Sequence, residues 1–301
     1  MTQPFHPELR RVARVLPRRA VSARTLPYAR VPVRLLARRP SRDVEVHSVG
    51  AVSVRLHRPP GGATTPRPAL LWIHGGGFVL GAAAQDDRIC TRFARRHGAI
   101  VAAVDYRLAP EHPFPAPLHD CHDALAWLAE RNDVDADRVA IAGASAGGGL
   151  AAALALLARD RGQVRPVAQV LAYPMLDDRT VLRNDIDQRP LRLWDNRSNR
   201  FGWSSYTGVP PGSPTVPGLA APARCEDLAG LPPAWIGVGT VDLFHDEDVA
   251  YAHRLRDAGV DCELHVVDGA FHGFDVVRPR SQVSRAFGAG QDDLLGAAFA
   301  R

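Results

Sequence analysis

Four short stretches of this chain carry residue types that could do chemistry together. Ser145 lies in Gly143-Ala144-Ser145-Ala146-Gly147, a G-x-S-x-G pentapeptide. The apolar run Val139-Ala140-Ile141-Ala142 precedes it, and an alanine- and leucine-rich run from Gly148 to Leu157 follows. The first reads as a buried parallel strand and the second as a buried helix. A serine at such a strand–turn–helix junction is a nucleophile elbow. Its flanks are glycine because a Cβ there would strike a neighbouring strand or helix. The helix begins at the serine, so its first free N–H groups point where an oxyanion would form. A second stretch, His74-Gly75-Gly76-Gly77-Phe78, ends the strand-like Ala69-Leu70-Leu71-Trp72-Ile73. Three glycines after a buried strand let backbone N–H groups turn toward one point, as a tetrahedral oxyanion requires. Each motif alone is also what a plain tight turn looks like, so their chain order carries the weight.

The remaining two stretches supply an acid and a base. Asp242 follows the apolar Trp235-Ile236-Gly237-Val238-Gly239, and His272 follows Glu263-Leu264-His265-Val266-Val267 after a short gap. Ser145, Asp242 and His272 thus each stand beyond the end of a strand. Groups at the carboxyl ends of parallel strands converge on one sheet edge, however far apart in sequence. The order serine, acid, histidine, with the glycine turn upstream, is that of the α/β-hydrolase triad.

Through these residues the chain resembles the hormone-sensitive-lipase family of esterases, whose microbial members are the family IV lipolytic enzymes. The resemblance runs from about residue 68 to about residue 276. It rests on the glycine block, on the segment from Asp105 to Ala116 (DYRLAPEHPFPA), on the serine pentapeptide with Gly148, and on the Asp242 and His272 segments. It implies a serine carboxylesterase with an eight-stranded, mostly parallel sheet flanked by helices and carrying a helical cap. It also implies an oxyanion hole from the N–H groups of Gly76, Gly77 and Ala146. Two positions depart from the family pattern. Ala144 stands where aspartate or threonine is usual, and Asp242 precedes Leu243-Phe244 where a proline often follows the acid. The second departure makes Asp246, Glu247 and Asp248 rival acids, although they also read as the first-turn acids of the next helix.

The elements that must position these groups can be traced along the chain. Residues 1 to about 40 are arginine-rich, with apolar residues at Val12, Val15, Leu16, Val33, Leu35 and Leu36. Cap helices satisfy this spacing, and a membrane-surface segment is the competing reading. Residues about 44–57 alternate like an antiparallel hairpin at a sheet edge. From residue 68 strands and helices alternate, as a parallel sheet demands. The alternation breaks between about 178 and 214, where aromatic and polar residues mix, and the resemblance implies the second cap piece there. It resumes near Pro233, and a helix from about Gln282 ends the chain. One α/β domain with a two-part cap is therefore expected.

Composition points the same way. The 301 residues carry a net charge of +5, and every one of the 37 basic residues is arginine. Coding bias accounts for that better than a nucleic-acid surface does. No apolar run reaches the roughly 18 residues of a membrane span, and no signal-peptide core opens the chain. Cys90, Cys121, Cys225 and Cys262 show no pairing pattern and read as free thiols of a reducing, cytoplasmic compartment.

Other candidates read as structural. His119, Asp120, Cys121, His122 and Asp123 lack a third metal ligand at the usual spacing and read as a solvated helix face. His112 sits in a proline-rich loop as a structural residue, and Arg107 with Glu111 reads as a local ion pair there. Asp177 and Asp178 come too early in the chain for the triad acid. The expected activity is hydrolysis of short- to medium-chain acyl esters, with no metal or organic cofactor. An amidase or deacetylase using the same triad stays open, as does a non-catalytic receptor on the same fold, which the presence of His272 disfavours. A small-molecule ester is the expected partner, without nucleic acid or integral membrane association. The residues leave a homodimer open.

Overall fold

The short apolar runs become one eight-stranded sheet in the order β1-β2-β4-β3-β5-β6-β7-β8. A computed structural model of the protein describes residues 4–19, 21–37, 43–61 and 65–300. The strands are β1 Val44–Val49, β2 Val52–His57, β3 Arg67–Ile73, β4 Ile100–Asp105, β5 Val134–Ala144, β6 Gln169–Ala172, β7 Ala234–Val241 and β8 Cys262–Phe271. The first two form the expected antiparallel hairpin, and β2 runs antiparallel to β4. The pairings from β4 to β8 are all parallel. Strand β5 begins at Val134, earlier than the apolar run suggests, because its first residues leave the core for solvent.

The helices are α1 Arg10–Ala13, α2 Leu26–Ala37, α3 Asp87–His97, α4 Ala116–Ala129, α5 Ala146–Arg161, α6 Asn196–Thr207, α7 His245–Asp257, α8 Phe274–Val277 and α9 Gln282–Phe299. The period-two geometry of a strand sends alternate residues to opposite faces. In β3, Ala69, Leu71 and Ile73 join the core under α4, α5 and α7, whereas Leu70 and Trp72 join the core under α3 and α9. Helices on both faces explain why the central strands read as unbroken apolar runs.

The sequence of the N-terminal segment predicts cap helices, and the described residues hold α1 and α2. Residues 1–3, 20 and 38–40 of that segment lie outside the described ones. The buried residues differ from those the apolar spacing selects. Leu9, Ala13, Val21, Leu26 and Arg30 are buried. Val15, Leu35 and Leu36 are exposed, and Val12, Leu16 and Val33 only half-buried. Apolar spacing identifies a stripe but not which side of it meets the protein.

Segment 13–21 is tied to segment 192–198. Leu193 donates its N–H to Pro17 O at 2.8 Å, Ser198 Oγ donates to Val21 O at 3.2 Å, and Arg19 pairs with Asp195 at 3.3 Å. Asp195 also caps α6 by accepting from Ser198 N. From α6, Tyr206 stacks on Phe78 with ring centroids 4.0 Å apart, and Trp203 packs against both. Such buried aromatic pairs contribute about 0.5–1.5 kcal/mol each beyond their area.

Two readings of polar residues are corrected here. Arg107 pairs with buried Asp120 at 2.7 Å, not with Glu111. Glu111 instead accepts from Arg30 at 2.6 and 3.0 Å. The stretch from His119 to Asp123 is no solvated face either, since Asp120, Cys121 and His122 are buried and only His119 and Asp123 are exposed. Helix α4 packs against β3, β4 and β5 and against α5, so polar residues on its inner side find partners inside the protein. His122, for example, meets Arg161 at 3.0 Å.

Candidate active site

Ser145 sits in a strained turn between β5 and α5. Ser145 is the N-cap of α5 with φ 57° and ψ −124°, a conformation few non-glycine residues adopt. Its N–H donates to Ala172 O at 2.9 Å, and its own carbonyl accepts from Gly149 N and Met175 N, both at 3.0 Å. These bonds from β6 and the loop after it over-determine the turn. Gly147 shows why the flank must be glycine: an added Cβ would stand 2.1 Å from Ile73 O on β3.

The structure brings Ser145, His272 and Asp242 together from the ends of β5, β8 and β7. His272 Nε2 lies 2.9 Å from Ser145 Oγ, and His272 Nδ1 lies 2.8 Å from Asp242 Oδ2. The other oxygen of Asp242 accepts from Phe244 N at 3.1 Å, so both carboxylate oxygens are held. All three residues are buried. The imidazole is gripped edge-on by Tyr173 and Phe244, with ring centroids at 4.8 and 5.2 Å. Tyr173 is itself anchored by its hydroxyl, which donates to Asp275 Oδ1 at 2.8 Å. Sequence reasoning missed this support. The available signal was that Tyr173 stands just past the end of β6, on the same sheet edge as the other three.

The glycine block lies against the serine. An added Cβ on Gly75 would stand 3.2 Å from Ser145 Cβ. Gly76 and Gly77 have φ of 128° and 60°, open to glycine and costly for other residues. Among the described residues, neither their N–H groups nor that of Ala146 donates to a protein acceptor. His74 is wholly buried, and burial holds its pKa below the ordinary histidine range. The neutral ring donates Nδ1–H to Gly75 O at 2.9 Å and stacks on Tyr106, which stiffens the turn. Above the block, the indole of Trp194 fills the space that a Cβ on Gly77 would need. The sequence marks the segment around Trp194 as cap but does not show that it reaches this loop.

The rival acids go elsewhere. Asp246 bonds Arg183 at 2.6 Å and His245 at 2.7 Å on the surface and does not cap α7, whose N-cap is Phe244. Glu247 is buried and accepts from Leu176 N at 2.7 Å, Asp177 N at 3.1 Å and the Thr180 hydroxyl. It holds the loop after β6 rather than decorating a helix end. Asp177 bonds Arg179, and Asp178 bonds Arg224. Among the described residues, no cluster of three histidine, cysteine, aspartate or glutamate side chains is disposed to hold a metal ion.

Asp248 is the anomaly. It is wholly buried, and neither carboxylate oxygen has a hydrogen-bond partner among the described residues. Burial pushes its pKa well above the carboxylate range, and the nearby charges of Glu247 and Asp242 add to this. Below about pH 4 the group is neutral in folded and unfolded chains alike. As pH rises through that value the unfolded chain ionises and the folded one does not, so stability falls until the folded pKa is reached. Asp248→Asn stays neutral throughout. Its melting temperature relative to wild type is therefore expected to climb as pH rises above about 4. A difference that stays constant over this range would show that ionisation is not what the burial opposes.

Comparison with known proteins adds the last observation. A family profile described as alpha/beta hydrolase fold matches residues 70–276. The chain is 38% identical over 233 residues to Esterase LipI of Mycobacterium tuberculosis, covering 75% of this chain and 71% of that one. It is 36% identical over 228 residues to the ethyl acetate hydrolase of Pseudomonas putida, covering 73% and 70%. Among solved structures, a bacterial heroin esterase superposes with a TM-score of 0.88 at 37% identity, over 98% of both chains. Esterase LipW of Mycobacterium marinum superposes with a TM-score of 0.87 at 36% identity, over 99% of this chain and 97% of that one.

Proposed function

Because the chain belongs to the alpha/beta hydrolase fold family, among its hormone-sensitive-lipase-like esterases, and is a serine ester hydrolase, we propose that it cleaves short- to medium-chain acyl esters through Ser145, His272 and Asp242. The observation that carries this reading is the continuous hydrogen-bonded line from Ser145 Oγ through the imidazole to Asp242, at 2.9 and 2.8 Å.

Neutral His272 donates Nδ1–H to Asp242 and accepts the Ser145 hydroxyl proton at Nε2. Ser145 Oγ attacks the ester carbonyl carbon, and the carbonyl electron pair moves onto oxygen. The N–H groups of Gly76, Gly77 and Ala146 receive that oxyanion. The carbonyl re-forms, the C–O bond to the alcohol breaks, and His272 gives its proton to the departing oxygen. Water then attacks the acyl-enzyme, with its proton passing to His272. Collapse returns a proton to Ser145 Oγ and releases the acid. Aligned donors of this kind are worth about 10²–10³-fold each in kcat in serine hydrolases.

Segments 4–37 and 178–214 form the proposed cap. A groove of 770 Å³ runs along their seam, lined by Pro17, Arg18, Arg19, Gln188 and residues 195–197. Leu193 and Trp194 stand against Gly273 and Gly77, beside His272 and the glycine block, and so limit the room near Ser145. Butyrate and hexanoate nitrophenyl esters are therefore expected to be hydrolysed at least about tenfold faster per enzyme than palmitate, the scale set by a few methylenes without a pocket. A panel from acetate to palmitate, with arylacetamides alongside, tests this. Rates that rise sharply once palmitate forms an emulsion would identify a true lipase. Faster turnover of the amides would identify an amidase. The unpaired thiols of Cys90, Cys121, Cys225 and Cys262 support a cytoplasmic setting.

A further inference from the structure

Helix α2 has two unlike sides. Leu26 and Arg30 face inward, and Arg30 ties the helix to the protein by donating to Val79 O at 2.8 Å and Ala109 O at 2.7 Å and by pairing with Glu111. On the other side Tyr28, Val31, Leu35 and Leu36 are 78%, 51%, 59% and 37% exposed. Tyr28, Val31 and Leu35 follow i, i+3, i+7 spacing, so they form one stripe along the helix. Single exposed apolar residues are ordinary, but a contiguous stripe marks a surface that meets something. Basic residues flank the stripe along the chain. Arg24 and Arg34 are exposed beside it, and residues 4–37 hold eight arginines against the single acid Glu8.

We infer that this face of α2 docks on an anionic lipid bilayer. Tyr28, Val31 and Leu35 enter the boundary between headgroups and acyl chains, and Arg24 and Arg34 meet the lipid phosphates. An amphipathic helix lying in the interface with basic flanks binds by this combination of apolar burial and attraction to anionic headgroups. Charge selects the occupant. A second copy of this chain would set the arginines of both copies near each other across a two-fold axis. A bilayer carrying phosphatidylglycerol complements them. The inner side of α2 reaches Val79, next to the glycine block, so the docked face belongs to the part of the protein that frames Ser145. The α2 stripe reconciles the two sequence readings of this segment. The helix is part of the cap, and its outer side is a membrane-surface segment.

Sedimentation of the full chain with vesicles tests the inference. Vesicles of phosphatidylcholine with about 30% phosphatidylglycerol are expected to bind at least about tenfold more tightly than phosphatidylcholine alone, with the preference shrinking in high salt. Tyr28→Ser/Val31→Ser/Leu35→Ser should lose the binding with its melting temperature unchanged, because those side chains touch water in the free protein. Arg24→Glu/Arg34→Glu should lose the preference for anionic vesicles. Equal binding of wild type and the serine triple variant would overturn the inference, as would failure to bind anionic vesicles. A wild-type dimer in solution that the triple variant converts to monomer would also overturn it, assigning the stripe to a second copy.

Discussion

Ser145→Ala is expected to lower kcat on nitrophenyl butyrate by about 10⁵–10⁶-fold, because nucleophile and base act as a unit and neither retains much function alone. The fold should survive. The strain at φ 57° is imposed by bonds to the Ser145 backbone, from Ala172 O, Gly149 N and Met175 N, which alanine keeps. The residual rate should stay above that of water, since donors at Gly76, Gly77 and Ala146 would still polarise a bound ester. A fluorophosphonate probe supplies the complementary measurement. It should label Ser145 alone in the wild type and nothing in the variant. Label mapped to Ser204 or Ser205, or a variant retaining a tenth of the wild-type kcat, would end the assignment of Ser145 as nucleophile.

Asp242→Asn is expected to cost about 10⁴-fold in kcat, because an amide in that position favours the wrong imidazole tautomer. The two oxygens of Asp242 are committed to His272 Nδ1 and Phe244 N at 2.8 and 3.1 Å, so an asparagine oxygen can keep only one of these bonds. Asp246→Asn is the contrast. Asp246 is half-exposed and bonds Arg183 and His245, and surface pairs of this kind contribute about 0–1 kcal/mol. That variant should lose a little stability and no catalytic power. Measuring kcat and melting temperature for both variants separates the roles. An inactive Asp246→Asn beside an active Asp242→Asn would move the acid to Asp246 and leave the serine-hydrolase class intact.

Much of the fold and the candidate site was legible before any coordinates, for reasons that are local. A glycine-flanked serine between an apolar strand and a small-residue helix is constrained by sterics within a few residues, and Gly147 would meet Ile73 O at 2.1 Å if it carried a Cβ. The strand ends at Ala144, Val241 and Phe271 follow from runs of apolar residues, and a parallel sheet puts those ends on one edge. Sequence therefore named Ser145, Asp242 and His272 as neighbours, because strand order and strand termini suffice to bring them to one edge.

Tertiary structure alone decided the rest, because those features depend on what lies across a gap. Which side of α2 is buried was set by Arg30 reaching the carbonyls of Val79 and Ala109, and no spacing rule sees an arginine as the inward residue. Arg107 chose Asp120 over Glu111, because helix α4 brings Asp120 to the end of β4. Glu247 and Asp248 look like ordinary first-turn acids, but both are out of water, and the loop after β6 bonds Glu247. Tyr173 grips His272 from the loop after β6, and Trp194 covers Gly77 from the segment before α6. Periodicity and motif report what a residue does within its own element. Partner choice, burial and the support of the imidazole are settled by contacts between elements, which one-dimensional spacing does not encode.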